Sequence, residues 1–232
     1  MTRKRVLITG IGGFIGSALS ELLTDSGYEV WGIGKSNRNN KNYFQIDLTC
    51  KDQLLKMANR MPNFNTIIHI AAIAHGEKLE GNRSVLSHNV DMTKNIIHFF
   101  SNKETSLIFF SSVAVYGEDK RYGYVDELCE LRPYSNYGLS KKTCEELILK
   151  SNFNSCIILR LCPVYAENNL KDIKKRVFPP IFQIFKLKMI PSPKYSFTHI
   201  NTIKKVIIRL IKNPQDGKNI YNISDNNLYC QN

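Results

Sequence analysis

The stretch VLITGIGGFIG, residues 6–16, decides how the rest of the chain is read. Its first four residues are apolar or β-branched, the composition of a short buried strand. Gly10, Gly13 and Gly16 follow at three-residue spacing and lead into a helical pattern from Gly13 to Asp25. Glycines in such a turn let the chain reverse sharply after the strand, let its backbone approach a pyrophosphate, and let the helix pack close to the sheet. Gly10, Gly13, Phe14, Ile15 and Gly16 are therefore the expected phosphate side of a dinucleotide site. A glycine motif alone is weak, because any strand-to-helix turn needs glycine; its place after a first strand gives it weight.

Working outward, apolar runs alternate with helical patterns. Strands are expected at Val6–Thr9, Glu29–Ile33, Tyr43–Ile46, Thr66–Ile70, Ser106–Phe110 and Cys156–Leu161. Helices are expected near Asp52–Met61, Ser84–Ser101 and Ser135–Lys150. Short buried strands separated by helices imply a parallel sheet covered on both faces, a doubly wound α/β domain of the Rossmann type. After Pro163 the rhythm changes to a Lys-rich helix (Lys171–Lys188), a proline pair at Pro191 and Pro193, a helix Thr202–Ile211 and a strand Asn219–Ile223. The expected division is a dinucleotide-binding domain over residues 1–162 and a small, shortened substrate lobe over residues 163–232, packed on it as a lid.

Composition limits the alternatives. The chain of 232 residues carries a formal charge of +12, and from Arg160 onward 13 basic residues face 4 acidic ones. A basic C-terminal part attracts phosphates, although abundant lysine throughout the chain also fits a general compositional bias. The six cysteines form no C-x-x-C pair, so reduced thiols and no metal site are expected. No stretch approaches the roughly 18 apolar residues of a membrane helix. The charged start at Met1–Arg5 leads into a run too short and too glycine-rich for a signal peptide. A soluble, cytoplasmic protein is expected, without nucleic-acid or membrane partners.

A site for NAD ordinarily carries an acid at the end of the second strand, to hold the adenosine ribose. Here Gly34 stands there, and Lys35 and Arg38 follow. Loss of the acid and gain of cations favour a 2′-phosphate, hence NADP over NAD. Asp47 and Leu48 follow the third strand, where a carboxylate can accept from the adenine amino group.

Downstream, YGLSK spans residues 137–141. With it in view, the chain resembles the extended short-chain dehydrogenase/reductase family, the nucleotide-sugar epimerases, dehydratases and reductases. The resemblance rests on TGIGGFIG (9–16), IDL (46–48), HIAAIAH (69–75), NVDMTKNI (89–96), FFSSVAVYGE (109–118), YGLSK and LRLCPVY (159–165), in that order. Tyrosine is a poor base near neutrality, with a free pKa around 10. A lysine four residues on shares its helix face, where positive charge favours the phenolate. The resemblance implies that Tyr137 exchanges a proton with a sugar hydroxyl, that Lys141 also holds the nicotinamide ribose, and that Ser112 hydrogen-bonds the same sugar oxygen. It further implies that Ala71, Ala72 and Ile73 line the cofactor cleft, that Asn89 braces the site, and that Ser111, Pro163 and Val164 contact the cofactor. A homodimer through the helices at 84–101 and 135–150 is expected by the same resemblance. His75 and His88 are read as surface or packing residues.

The family's dehydratases carry an Asp-Glu pair after the catalytic Ser/Thr, whereas Val113 and Ala114 follow Ser112. That leaves oxidation and reduction at a sugar carbon, C4 by resemblance, in an epimerase or an NADPH-dependent 4-ketoreductase of polysaccharide or lipopolysaccharide precursor synthesis. Pro163 replaces the family's usual substrate-contacting Asn, and SFTHINTI (196–203) resembles its F-V-H-V-D-D-V segment with Asn201 in place of an acid. Arg176 and the lysines near it are candidate contacts to a sugar-nucleotide pyrophosphate. A non-catalytic dinucleotide-binding sensor or scaffold is the rival reading from another class, opposed by the presence of Ser112, Tyr137 and Lys141.

Overall fold

The structure, a computed structural model, describes residues 3–36, 40–58, 60–74, 84–117, 125–170, 173 and 194–230. Its centre is a seven-stranded, all-parallel sheet built from β1 (Arg5–Thr9), β2 (Glu29–Gly34), β3 (Tyr43–Gln45), β4 (Thr66–His69), β5 (Ser106–Ser112), β6 (Ser155–Leu161) and β10 (Gly217–Ile223). The spatial order is β10-β6-β5-β4-β1-β2-β3. The chain winds from β1 to one edge through β2 and β3, then restarts on the other side of β1 with β4. That reversal opens a crevice at the carboxyl ends of β1 and β4, where doubly wound folds bind ligands.

The strands alternate their side chains between two apolar layers, as the pleat requires. Val6, Ile8, Ile68 and Ile108 face one layer, with Leu19 and Leu23 of α1 (Phe14–Asp25) and Ile203, Ile207 and Leu210 of α5 (Ile200–Lys212). Leu7, Ile67, Leu107 and Phe109 face the other, with Leu54 of α2 (Lys51–Ala58), Met92 and Ile96 of α3 (Val85–Phe100), and Cys144 and Ile148 of α4 (Asn136–Leu149). Both faces are thus dry, which is why the strands read as continuous apolar runs. Each buried Leu or Ile contributes about 1.5–3 kcal/mol.

Residues 200–223, placed with the lobe in the sequence reading, supply α5 and β10, a covering helix and the outermost strand of the main sheet. Outside that sheet stand β7 (Val164–Tyr165) paired with β9 (Thr198–His199), and β8 (Lys194–Ser196) paired with β11 (Leu228–Cys230). Part of the basic excess is a solvated helix face, since Lys205, Arg209 and Lys212 of α5 are exposed while its isoleucines point inward. Arg160 is buried in β6. The Lys-rich segment 171–188, apart from residue 173, and Pro191 and Pro193 lie outside the described residues, as do Arg38, His75 and Arg176.

Candidate dinucleotide and catalytic site

The glycine turn after β1 is built by close approach. Gly10 has φ +69° and donates to the Ile33 carbonyl at 2.9 Å, while Gly13 donates back to the Gly10 carbonyl at 3.0 Å. A Cβ on Gly16 would lie 2.3 Å from the Gly10 oxygen, so only glycine lets α1 start this close to the strand. Gly13 is different: a Cβ there would meet only the Gly10 oxygen, at 3.4 Å, and would otherwise project into open space. Gly13 caps α1 without a side-chain hydrogen bond, and the first turn carries no acid. The leading amides of α1, at Phe14 and Ile15, therefore sit at a bare, positively polarised helix end with room beside it. These residues fit the pyrophosphate of a dinucleotide, which would bind the amides as any phosphate binds a helix N-terminus.

At the far end of β2, Lys35 Nζ pairs with Asp47 Oδ2 at 3.0 Å, beside an open depression of about 400 Å³ lined by Lys35, Gln45, Ile46, Asp47 and Gln53. Thr49 donates to the other Asp47 oxygen through its amide and hydroxyl. Burial pushes the Asp47 carboxyl up, but the Thr49 and Lys35 hydrogen bonds outweigh it and the net shift is downward. Leu48 is buried in the core beside it. A Cβ on Gly34 would lie 2.8 Å from the Tyr43 hydroxyl, which donates to the Ser36 carbonyl at 2.6 Å, so a larger residue there requires that hydroxyl to shift.

The loop after β4 forms the floor. Thr9 Oγ1 accepts from the amides of Ile70 and Ala71, at 3.1 and 3.2 Å, and a Cβ on Gly10 would touch the Ala71 backbone at 3.0 Å. Asn89, buried on α3, accepts from the Ile73 amide at 2.8 Å and donates to the Ile73 carbonyl and to Ser140 Oγ. It clamps the segment Ala71–Ala72–Ile73 to α4, and Ser140 passes the tie on to the Tyr137 carbonyl at 2.7 Å.

Tyr137 occupies the first turn of α4, whose N-cap Ser135 accepts from the Gly138 amide at 3.0 Å. Gly138 lets this turn press on the loop after β5, because a Cβ there would lie 2.5 Å from the Ala114 oxygen. Ser112, at the end of β5, caps that 3-10 turn (Val113–Tyr116) by accepting from the Ala114 amide at 3.2 Å. Lys141 is 2 % exposed; its ammonium donates to the Phe110 carbonyl at 2.7 Å and stands 5.7 Å from the centroid of the Tyr137 ring. Burial pushes its pKa down to about 8. Tyr137 and Lys141 thus share one face of α4, one turn apart, over the end of β5 that carries Ser112.

Glu145, Arg160, Tyr116, Asn222 and Asp225, none of them a site residue in the sequence reading, complete the surroundings of Ser111 and of Pro163–Val164. Ser111 donates to Glu145 Oε1 at 2.5 Å, and Glu145 forms a buried ion pair with Arg160 at 2.8 Å. Arg160 also donates to the Tyr116 hydroxyl at 2.7 Å, which in turn donates to Asn222 of β10. Beside Pro163 and Val164, Asp225 accepts from the Tyr165 hydroxyl, the His199 amide and Thr202 Oγ1, fastening the 163–170 segment to the start of α5. An arginine in the otherwise apolar strand SCIILRL was the available signal for the ion pair, since a buried cation demands a partner. His88 is buried on α3, in keeping with a packing role. Among the described residues no cluster of metal ligands occurs, and no helix is long and apolar enough to cross a membrane.

Fold and site together describe a doubly wound α/β protein with Ser112, Tyr137 and Lys141 at the carboxyl edge of its sheet. The sequence profile of the NAD dependent epimerase/dehydratase family matches residues 6–224, and the chain belongs to that family. It is 31% identical over 191 residues to the Bacillus subtilis protein described as the uncharacterized UDP-glucose epimerase YtcB, covering 73% of this chain and 59% of that one. It is 26% identical over 231 residues to the N-acetyl-alpha-D-glucosaminyl-diphospho-ditrans,octacis-undecaprenol 4-epimerase of Escherichia coli O157:H7, covering 95% and 67%. The chain thus spans roughly three fifths to two thirds of these relatives' lengths. In fold it is similar to the ADP-L-glycero-D-manno-heptose-6-epimerase of Helicobacter pylori, with TM-score 0.77 at 21% identity over 99% of this chain and 79% of that one.

Proposed function

We propose that this protein is an NAD(P)-dependent nucleotide-sugar epimerase or reductase that acts by hydride transfer at C4 of the sugar, in the supply of polysaccharide precursors. The observation that carries the reading is the Lys141 ammonium, 2 % exposed on the Phe110 carbonyl and one turn from Tyr137. A buried ammonium costs stability, so its presence beside a phenol in the ligand crevice points to chemistry and not to packing. Lys141 stabilises the phenolate form of Tyr137, and Tyr137 takes the proton of the sugar hydroxyl or returns it. Ser112 hydrogen-bonds the same oxygen and fixes its direction. NAD(P), when bound on the glycine turn and α1, supplies the acceptor and donor of hydride. Pairing of two copies through α3 and α4 is part of the same proposal.

The dinucleotide we assign is NADP(H). Support comes from Gly34, which offers no acid to hold a free ribose and packs on the Tyr43 hydroxyl, and from Lys35 at the rim of the depression. A preference for NADPH favours net ketone reduction, the second reading, over an epimerase that retains its cofactor.

The test is a titration of the purified protein with NADH and NADPH, followed by turnover of UDP-, dTDP- and polyprenyl-diphosphate sugars with the tighter one. Binding of NADPH and conversion at C4 are expected. Failure to bind either dinucleotide overturns the reading, and preference for NADH overturns the assignment of NADP(H).

A further inference from the structure

A chain of buried hydrogen bonds links the glycine turn to the helix that carries Tyr137, and the donors present fix its direction. Thr9 Oγ1 already accepts from two backbone amides, Ile70 and Ala71. Both of its lone pairs are used, so its own proton points to His69 Nδ1, 2.7 Å away. Nδ1 is then an acceptor, and neutral His69 carries its proton on Nε2, from which it donates to Thr93 Oγ1 at 3.1 Å. Thr93 in turn donates to Cys144 Sγ at 3.2 Å, and Cys144 donates to the Asn89 carbonyl at 3.5 Å. The opposite tautomer would set two protons against each other between Thr9 and His69.

We propose that His69 is a positioning residue, which as the Nε2–H tautomer couples the Thr9–Ala71 floor of the dinucleotide crevice to α3 and α4. His69 is 1 % exposed and packs on Phe109, with ring centroids 5.5 Å apart; the Lys141 ammonium stands 4.7 Å from the centroid of the same ring. Burial, and then the Lys141 charge, push the His69 pKa down to about 3, so it is neutral wherever the protein works. Its neutrality leaves the Lys141 cation without a positive neighbour across Phe109. The geometry of the Ala71 amide, which faces Gly10, thereby depends on Thr93, a residue on α3 that lies outside the crevice. The catalytic meaning of this coupling rests on the function proposed above; the coupling itself does not.

Two measurements decide it. Long-range proton–nitrogen correlation spectra of the full chain with ¹⁵N-labelled histidine are expected to show His69 neutral, protonated at Nε2, at pH 6 and at pH 8. Thr93→Val is expected to weaken NADPH binding about five-fold, the effect of one hydrogen bond, and to speed hydrogen exchange of the Ala71 amide by a similar factor. Thr93→Ser, which keeps the hydroxyl, is expected to restore both. Ile96→Val, a core change on α3 away from the chain of bonds, controls for general loosening and is expected to alter neither. A proton on Nδ1, a charged ring, or Ala71 exchange in Thr93→Val equal to that in Ile96→Val would overturn the proposal. If no dinucleotide binds at all, the functional reading fails, and the tautomer and the exchange rates still decide the coupling.

Discussion

The Glu145 carboxylate grips the Arg160 guanidinium through Nε and Nη2, at 3.2 and 2.8 Å, with both side chains at most 3 % exposed. The pair ties α4 to β6 directly behind Ser111 and one turn beyond Lys141. Its bonds to Ser111, Tyr116 and the Glu127 carbonyl satisfy much of what burial strips from the two ions. Breaking such a pair on one side leaves an uncompensated buried charge, at a cost of about 3–5 kcal/mol, whereas apolar replacement of both partners is far milder. Glu145→Gln and Arg160→Met are each expected to lower the urea midpoint sharply, and Glu145→Leu with Arg160→Met to lower it less than either. Additive losses in the double variant would contradict this account.

The glycine turn separates two roles that one motif blurs. Gly16→Ala forces a Cβ to 2.3 Å from the Gly10 oxygen and is expected to destabilise the fold by about 1–3 kcal/mol. Gly13→Ala meets nothing closer than 3.4 Å and is expected to hold stability within about 0.5 kcal/mol. Its methyl group instead enters the space beside the α1 amides, and dinucleotide affinity should fall at least about ten-fold, or 1.4 kcal/mol. Denaturation and fluorescence titration of the two variants separate these effects.

Lys141 makes stability depend on pH in a defined window. Its pKa falls from 10.5 in the unfolded chain to about 8 in the folded one. Between those values the unfolded state binds the additional proton, so stability rises with pH across the window and is lost again as pH falls toward 8. The gain is on the order of 3 kcal/mol at 1.36 kcal/mol per pKa unit. Subtracting the curve of Lys141→Met isolates this contribution. A difference curve that is flat from pH 8 to 10.5 would show that burial does not depress the Lys141 pKa.

What the sequence made legible is what local pattern encodes. The glycine turn, the alternation of apolar runs and helices, and the four-residue step from Tyr137 to Lys141 are all short-range features, and their elements lie where that pattern places them. The non-local contacts were not legible. Nothing near Gly34 tells that Tyr43 crowds it, and nothing near Thr9 tells that His69 and Thr93 continue its hydrogen bonds. The strand at Gly217–Ile223 was visible as a strand, but its pairing with β6 depends on a connection through α5 that periodicity does not specify. Lys35 reads as a free cation in sequence and is paired with Asp47 in the structure. A 2′-phosphate at Lys35 would therefore compete with that carboxylate.

Most direct of all is the comparison of Tyr137→Phe with the unaltered protein on whichever sugar nucleotide it converts. The hydroxyl alone is removed, while the ring 5.7 Å from the Lys141 ammonium remains. If Tyr137 carries the proton, turnover falls by about 10²-fold or more while NADPH affinity stays within about three-fold. Unchanged turnover, with the dinucleotide still bound, would contradict the account.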